Sequence, residues 1–236
     1  MMPRLRAIVT GASRGIGAAI VQDISSRGYE SFGLSRSGTT GAGTGMVCDV
    51  SDEDQIKRVF ASIVAGGPVD LLVNNAGAYM ARRSAELTAK EYNAVMNLNA
   101  TSMMIACREI YPSMQDNGGG LVINMGSFFD RLGIPGSVAY CASKAAVGAM
   151  TRCLAVEWAP HGIYIVNVAP GYVETDLSSD YLANNKNRKW LNTRIPIGRP
   201  AQPNEVAKLV GQLVESGGAL LTGQTIYMDG AHAINQ

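Results

Sequence analysis

Short apolar runs, each followed by a longer segment of helical periodicity, constrain this chain more than any other feature. "LRAIVT" (5–10), "YESFGLS" (29–35), "GMVCDV" (45–50), "VDLLVNNAG" (69–77), "GLVINMGS" (120–127), "IYIVNVAP" (163–170) and "GQTIYMDG" (223–230) read as seven strands. They are apolar throughout rather than alternating, which fits burial on both faces. Segments 15–27, 51–65, 88–115, 137–158 and 203–215 read as helices between them. Strand–helix–strand order with doubly buried strands implies an α/β fold, a doubly wound parallel sheet with helices on both faces. With 47% hydrophobic residues, 236 residues suit a single domain over 1–236.

Local signals place the helix starts. Ile16, Ile20, Val21 and Ile24 share one face of the first helix. Ser51 is the expected cap of the second, with Asp52, Glu53 and Asp54 in its first turn. Thr88 and Glu91 have capping-box spacing at the start of one long helix. "SRSGTTGAGTG" (35–45) reads as a flexible loop.

Composition removes several function classes. A net charge of +1 offers no electrostatic case for nucleic acid or an anionic membrane. No run is long and apolar enough for a membrane span. The apolar run near the N-terminus stops at glycines too early for a signal peptide. Cys48, Cys107, Cys141 and Cys153 lack C-x-x-C spacing, and His161 and His232 are the only histidines. We therefore expect no metal site and free thiols in a reducing cytoplasm.

"VTGASRGIGAAI" (9–20) joins the first strand to the first helix, with Gly11, Gly15 and Gly17 spaced G-x-x-x-G-x-G. Such glycines allow a tight turn and close backbone approach, and the helix N-terminus offers free N–H groups to a pyrophosphate. Arg14 lies in this loop and Arg36 follows the second strand, where an adenosine ribose would lie. No acid occurs between Ser31 and Cys48 to bind a ribose 2′-hydroxyl, whereas an arginine suits a 2′-phosphate. NADP(H) is therefore expected in preference to NAD(H). In "SVAYCASKAAVGAM" (137–150), Tyr140 precedes Lys144 by four residues, one helical turn.

Taken in order, these segments closely resemble the short-chain dehydrogenase/reductase family over essentially the whole chain. The resemblance rests on T-G-x-x-x-G-I-G at Thr10–Gly17, N-N-A-G at Asn74–Gly77 and Ser127 after the fifth strand. Y-x-x-x-K at Tyr140–Lys144, P-G-x-V-x-T at Pro170–Thr175 and "TGQTIYMDG" complete it. It implies a Rossmann-like seven-stranded parallel sheet in order 3-2-1-4-5-6-7. It also implies hydride transfer between NAD(P)(H) and an alcohol or ketone, usually in a homotetramer. Tyr140 would be the acid/base, Ser127 the carbonyl-orienting hydroxyl and Lys144 the ribose-binding residue. Asn99 would complete the tetrad and hold a water; Asn97 is its nearby competitor. Cofactor contacts would come from Gly11, Ser13, Arg14, Gly15, Ile16 and Gly17 in the glycine loop. Arg36, Asp49, Val50, Asn75, Ala76 and Gly77 would follow on the next strand ends, then Pro170, Gly171, Val173 and Thr175.

The chemistry suits these residue types. A free tyrosine ionises near ~10, and a neighbouring ammonium lowers that value toward working pH. Ser127 can donate to the same carbonyl oxygen. Small residues around Lys144 (Ala142, Ala145, Ala146, Ala149) allow close helix packing, within one subunit or between subunits.

Phe128, Phe129, Tyr172 and Tyr79 are candidate walls of a substrate pocket. Residues 176–199 would form a mobile lid anchored by Leu182 and Trp190. The ending resembles 3-oxoacyl-[acyl-carrier-protein] reductases, but "QDNGGG" (115–120) and "APHGI" (159–163) lack the basic residues that would dock an acidic carrier protein. The expected substrate is a small ketone or a 3-oxoacyl group, with a carrier protein as the alternative partner. A non-catalytic NADP sensor is the rival class. It is disfavoured because all four tetrad positions are filled.

Overall fold

The computed structural model describes residues 5–235, apart from the side chain of Asp180. The extreme ends of the expected 1–236 domain lie outside the described residues. Seven strands form one parallel sheet in the order β3-β2-β1-β4-β5-β6-β7. These are β1 Arg6–Thr10, β2 Glu30–Ser35, β3 Thr44–Val47, β4 Leu71–Asn74, β5 Gly120–Met125, β6 Ile163–Pro170 and β7 Thr225–Met228. The order reverses between β1 and β4, which opens a crevice at the strand C-terminal ends.

Both faces are covered, as the continuous apolar runs require. Helices α1 (Gly15–Ser26) and α8 (Pro203–Ser216) pack Ile20, Val21, Ile24, Val206 and Val210 over Ala7 and Val9. Helices α2 (Glu53–Val64), α4 (Ser102–Asp116) and α5 (Val138–Trp158) pack Ile56, Phe60, Ile110 and Trp158 over the other face, which carries Ile8.

Local details correct several expectations. Asp52, not Ser51, caps α2: its carboxylate accepts from the Asp54 and Gln55 amides at 3.0 and 3.1 Å. Ser51 instead donates through its hydroxyl to Asp49. The Thr88–Glu91 capping box is present, but the helix it starts is not continuous. Helix α3 (Ala89–Met96) passes into a π-turn at Asn97–Thr101 before α4 resumes. The asparagine amides explain what holds the break: Asn97 donates to the Ser51 carbonyl and Asn99 to the Ala78 carbonyl. Loop 35–45 is folded onto the domain rather than loose: Ser35 and Thr40 hydroxyls donate to Thr39 and Ala42 carbonyls, and Gly41 packs against the Ala18 backbone.

The expected lid contains two helices, α6 (Ser179–Ala183) and α7 (Asn185–Arg194). Leu182 anchors it as expected, but Trp190 is 49% exposed. Leu191 and Ile195 take the anchoring place, packed with Leu182 and Tyr172. One residue turns a helix by about 100° (from 3.6 residues per turn), so Leu191 faces inward where Trp190 does not. On α5, Ser143 and Gly148 are buried within the subunit, whereas Ala145, Ala149 and Val156 face outward.

Candidate active site

A cleft of about 400 Å³ lies over the strand C-terminal ends at the switch point. The β1–α1 loop forms its floor, where Gly11, Ser13, Arg14, Gly15 and Ile16 line it. Helix α1 begins with no side-chain cap and no acidic residue in its first turn, so its first amides are left for an anion. Gly11 has φ +67°, and a Cβ there would stand 2.9 Å from the Ala76 Cα. Gly17 is not a lining residue: a Cβ on it would collide with the Gly11 carbonyl oxygen and the Asn75 amide. Its smallness seats α1 against the loop. This uncapped, glycine-cleared cradle fits a pyrophosphate.

The end of the cleft beside β2 and β3 is bounded by Ser35, Arg36, Asp49 and Val50. Arg36 is exposed, and no acid occupies the end of β2. Arg14 makes an exposed ion pair with Asp176 at 3.2 Å. At the inner end lie Asn75, Ala76 and Gly77, then Pro170 and Thr175. Gly171 packs against Asp229 and Val173 is buried beside Ala201, so neither lines the cleft. Asp176 and Leu177, the first residues of the expected lid, also line it, although the sequence did not single them out.

Three elements converge at the inner end. Ser127 follows β5, and Tyr140 and Lys144 lie one turn apart on α5. Ser127 lies close enough to the Tyr140 phenol to pull its pKa downward, and the Lys144 ammonium donates to the Met125 carbonyl at 2.8 Å. Its Nζ lies 5.7 Å from the centre of the Tyr140 ring. Asn99, fully buried, donates to the Ala78 carbonyl and the Ser143 hydroxyl and accepts from the Ala78 amide at 2.9 Å. Asn97 points away toward Ser51. Gly77 leaves room between Asn99 and Lys144.

The electrostatics depart from the expectation that Lys144 lowers the tyrosine pKa. Burial pushes Tyr140 up to about 12, against a smaller downward pull from Ser127. Burial also brings Lys144 down to about 8. With the ammonium held by the Met125 carbonyl, desolvation outweighs charge at the phenol.

Behind the site, three buried polar side chains bind the sheet to α5. Asn74 donates to Asn124 at 2.9 Å, and Asn124 donates to the Thr151 hydroxyl at 3.0 Å. Asn74 and Asn124 are register partners on β4 and β5. Asn124→Ala is expected to orphan the Thr151-facing link and lower unfolding free energy by about 1–3 kcal/mol, read from the denaturant midpoint. An unchanged midpoint would show that the network contributes nothing to seating α5.

Phe128 and Phe129 are buried beside Ser127. Phe129 meets the Tyr140 ring edge-on at 5.8 Å, and Tyr79 does so at 5.2 Å. Tyr172 continues this wall at 5.6 Å from Phe128. His232, unassigned from the sequence, stacks on Tyr172 at 5.9 Å and lies 5.2 Å from Phe128. Nothing local in the sequence marks it, because the chain end reaches the site only through the turn after β7.

A parallel sheet with a glycine-cleared cradle at its switch point, and Ser127, Tyr140 and Lys144 gathered beside it, is the arrangement of the dinucleotide-binding oxidoreductase class. The family described as enoyl-(acyl carrier protein) reductase matches residues 11–231. The 3-oxoacyl-[acyl-carrier-protein] reductase of Vibrio cholerae is 34% identical, covering 95% of each chain. D-threitol dehydrogenase of Mycolicibacterium smegmatis is 30% identical over 97% of this chain and 92% of its own. Among solved structures, the gluconate 5-dehydrogenase from Burkholderia cenocepacia, in complex with NADP and tartrate, has a TM-score of 0.92. It is 27% identical, covering 98% of this chain and 96% of its own. The chain belongs to the short-chain dehydrogenase/reductase family and is an oxidoreductase of that type.

Proposed function

We propose that the protein is an NADP(H)-dependent reductase of a ketone or 3-oxoacyl group, and that Tyr140 is its acid/base. The observation that carries this reading is the placement of Tyr140 and Lys144, one helical turn apart on α5, at the inner end of a phosphate-cradling cleft with Ser127 beside the phenol. The bound cofactor supplies the hydride. Ser127 and Tyr140 both hydrogen-bond the carbonyl oxygen, and the Tyr140 hydroxyl releases its proton to that oxygen as the alcohol forms. The Lys144 ammonium then faces the phenolate left behind. Asn99 is a positioning residue: its amide ties the Ala78 backbone to Ser143 beside Lys144. Proton return to Lys144 would use a water at the adjoining π-turn.

The 2′-phosphate is assigned to Arg36, with Arg14 as a second donor once it leaves Asp176. Arg36→Asp is expected to lower kcat/KM with NADPH by about 10–100-fold and to raise it with NADH, measured side by side. Faster wild-type turnover with NADH would overturn the NADP assignment. The outward-facing Ala145, Ala149 and Val156 of α5 support a homotetramer or dimer, which sedimentation would test. The experiment that tests the whole reading is a panel of ketones and 3-oxoacyl thioesters with each cofactor. Turnover confined to carrier-protein thioesters would move the assignment to the carrier-protein reductase.

A further inference from the structure

The approach to Tyr140 is a box of rings, with one histidine at its far side. Tyr79 and Phe129 meet the Tyr140 ring, Phe128 and Tyr172 pack against Phe129, and Tyr181 of the lid stacks on Tyr172 at 5.7 Å. Tyr79 meets Phe129 edge-on at 6.4 Å. The Tyr79 hydroxyl is engaged by Ser137. The cation–ring contacts among the described residues fall on Phe32, Tyr227 and Tyr140, none on these approach rings.

His232 differs from its neighbours. Its Nδ1 is buried without a hydrogen-bond partner, between Tyr172 and Phe128. A second observation bears on how it is held. Ala231 has φ 66°, the one left-handed non-glycine among the described residues. The Asp229 carboxylate clamps that turn, accepting from the Ala231 and Ala233 amides at 3.0 and 2.9 Å. Gly230 brings the turn against Ile195 and Ile197 at the end of the lid. A strained turn fixed from two sides thus presents an unpaired imidazole nitrogen to the ring box. The charged groups facing it are Asp229 and Arg194, which act in opposite directions, and burial favours the neutral imidazole.

Building on the proposed ketone reduction, we infer that the substrate's ketone is carried on a flat, uncharged ring system and that His232 hydrogen-bonds a second polar group on it. Ring faces and edges match such a body. A polyol or sugar acid would place many hydroxyls or a carboxylate against ring faces, with only a few phenol hydroxyls and one imidazole to pair them. The orphaned Nδ1 gains a partner only from a substrate with a polar group at a distance from the ketone.

The test uses the full-length protein with NADPH and four probes: 1-tetralone, 7-hydroxy-1-tetralone, acetoacetyl-coenzyme A and 5-keto-D-gluconate. The expected result is kcat/KM for the tetralones at least about tenfold above the other two, with the hydroxylated one preferred. His232→Phe keeps a ring in the stack and removes Nδ1. It is expected to reduce the ratio of kcat/KM between the two tetralones by about tenfold, through KM rather than kcat. His232→Asn, which restores a hydrogen-bonding group, should recover part of that ratio. Higher kcat/KM for the thioester or the sugar acid would overturn the inference while leaving ketone reduction standing. So would an unchanged ratio in His232→Phe. Failure to reduce any probe, with NADPH binding intact, would overturn the underlying reading and the inference with it.

Discussion

Tyr140→Phe is expected to lower ketone reduction by about 10²–10⁴-fold while NADPH still binds. The substitution removes one oxygen and leaves the ring, so the edge-on contacts with Tyr79 and Phe129 persist. The cleft floor, made by the β1–α1 loop and the N-N-A-G segment, is not touched. Loss of rate therefore separates from loss of binding: single-turnover NADPH oxidation measures the first and fluorescence titration the second. Turnover within a few-fold of wild type would remove Tyr140 as proton donor, and with it the enzyme mechanism proposed above. The sensor reading would then regain its place, since cofactor binding does not need the phenol.

Lys144→Met is expected to have the next largest effect, about 10²-fold on kcat, and to change the pH profile. In the wild type Lys144 sits near 8, brought down by burial. Below that pH it is charged and faces the phenolate that forms as Tyr140 gives up its proton. Above it the charge is lost, so reduction should slow as pH rises through about 8. Tyr140 itself stays protonated over this range because burial holds it near 12. Alcohol oxidation needs the phenolate and should run the opposite way, rising with pH. In Lys144→Met the fall in reduction near pH 8 should disappear and the plateau should drop. A variant that kept the wild-type plateau and the same fall would show that another group titrates there.

Much of the domain was legible because its signals are local or periodic. The largely apolar, non-alternating character of β1, β4, β5 and β6 follows from burial on both faces, and it requires helices above and below. Gly11 at positive φ and Gly17 under the Asn75 amide account for the glycine spacing by geometry alone. The Thr88–Glu91 box is likewise a contact three residues apart. The errors fall where a partner outside the local pattern decides. Ser51 and Asp52 are both competent caps, and Asp49 selects between them by accepting from the Ser51 hydroxyl. The helix around Asn99 has no proline or glycine to announce a break, yet Ala78, twenty-one residues away in sequence, holds its amide. Trp190 is the larger apolar residue, but packing with Tyr172 and Leu182 selects Leu191.

The sequence by itself determined the parallel architecture, the phosphate cradle and the pairing of Tyr140 with Lys144, because each rests on a short spacing or a repeating pattern. Only the tertiary structure decided how those residues are tuned and what surrounds them. It turns Lys144 to the Met125 carbonyl, so burial rather than a neighbouring charge governs Tyr140. It also brings His232 from the turn after β7 to Tyr172 and Phe128, 60 and 104 residues earlier in the chain. Desolvation and ring stacking depend on everything that packs around a group, and no local spacing encodes that.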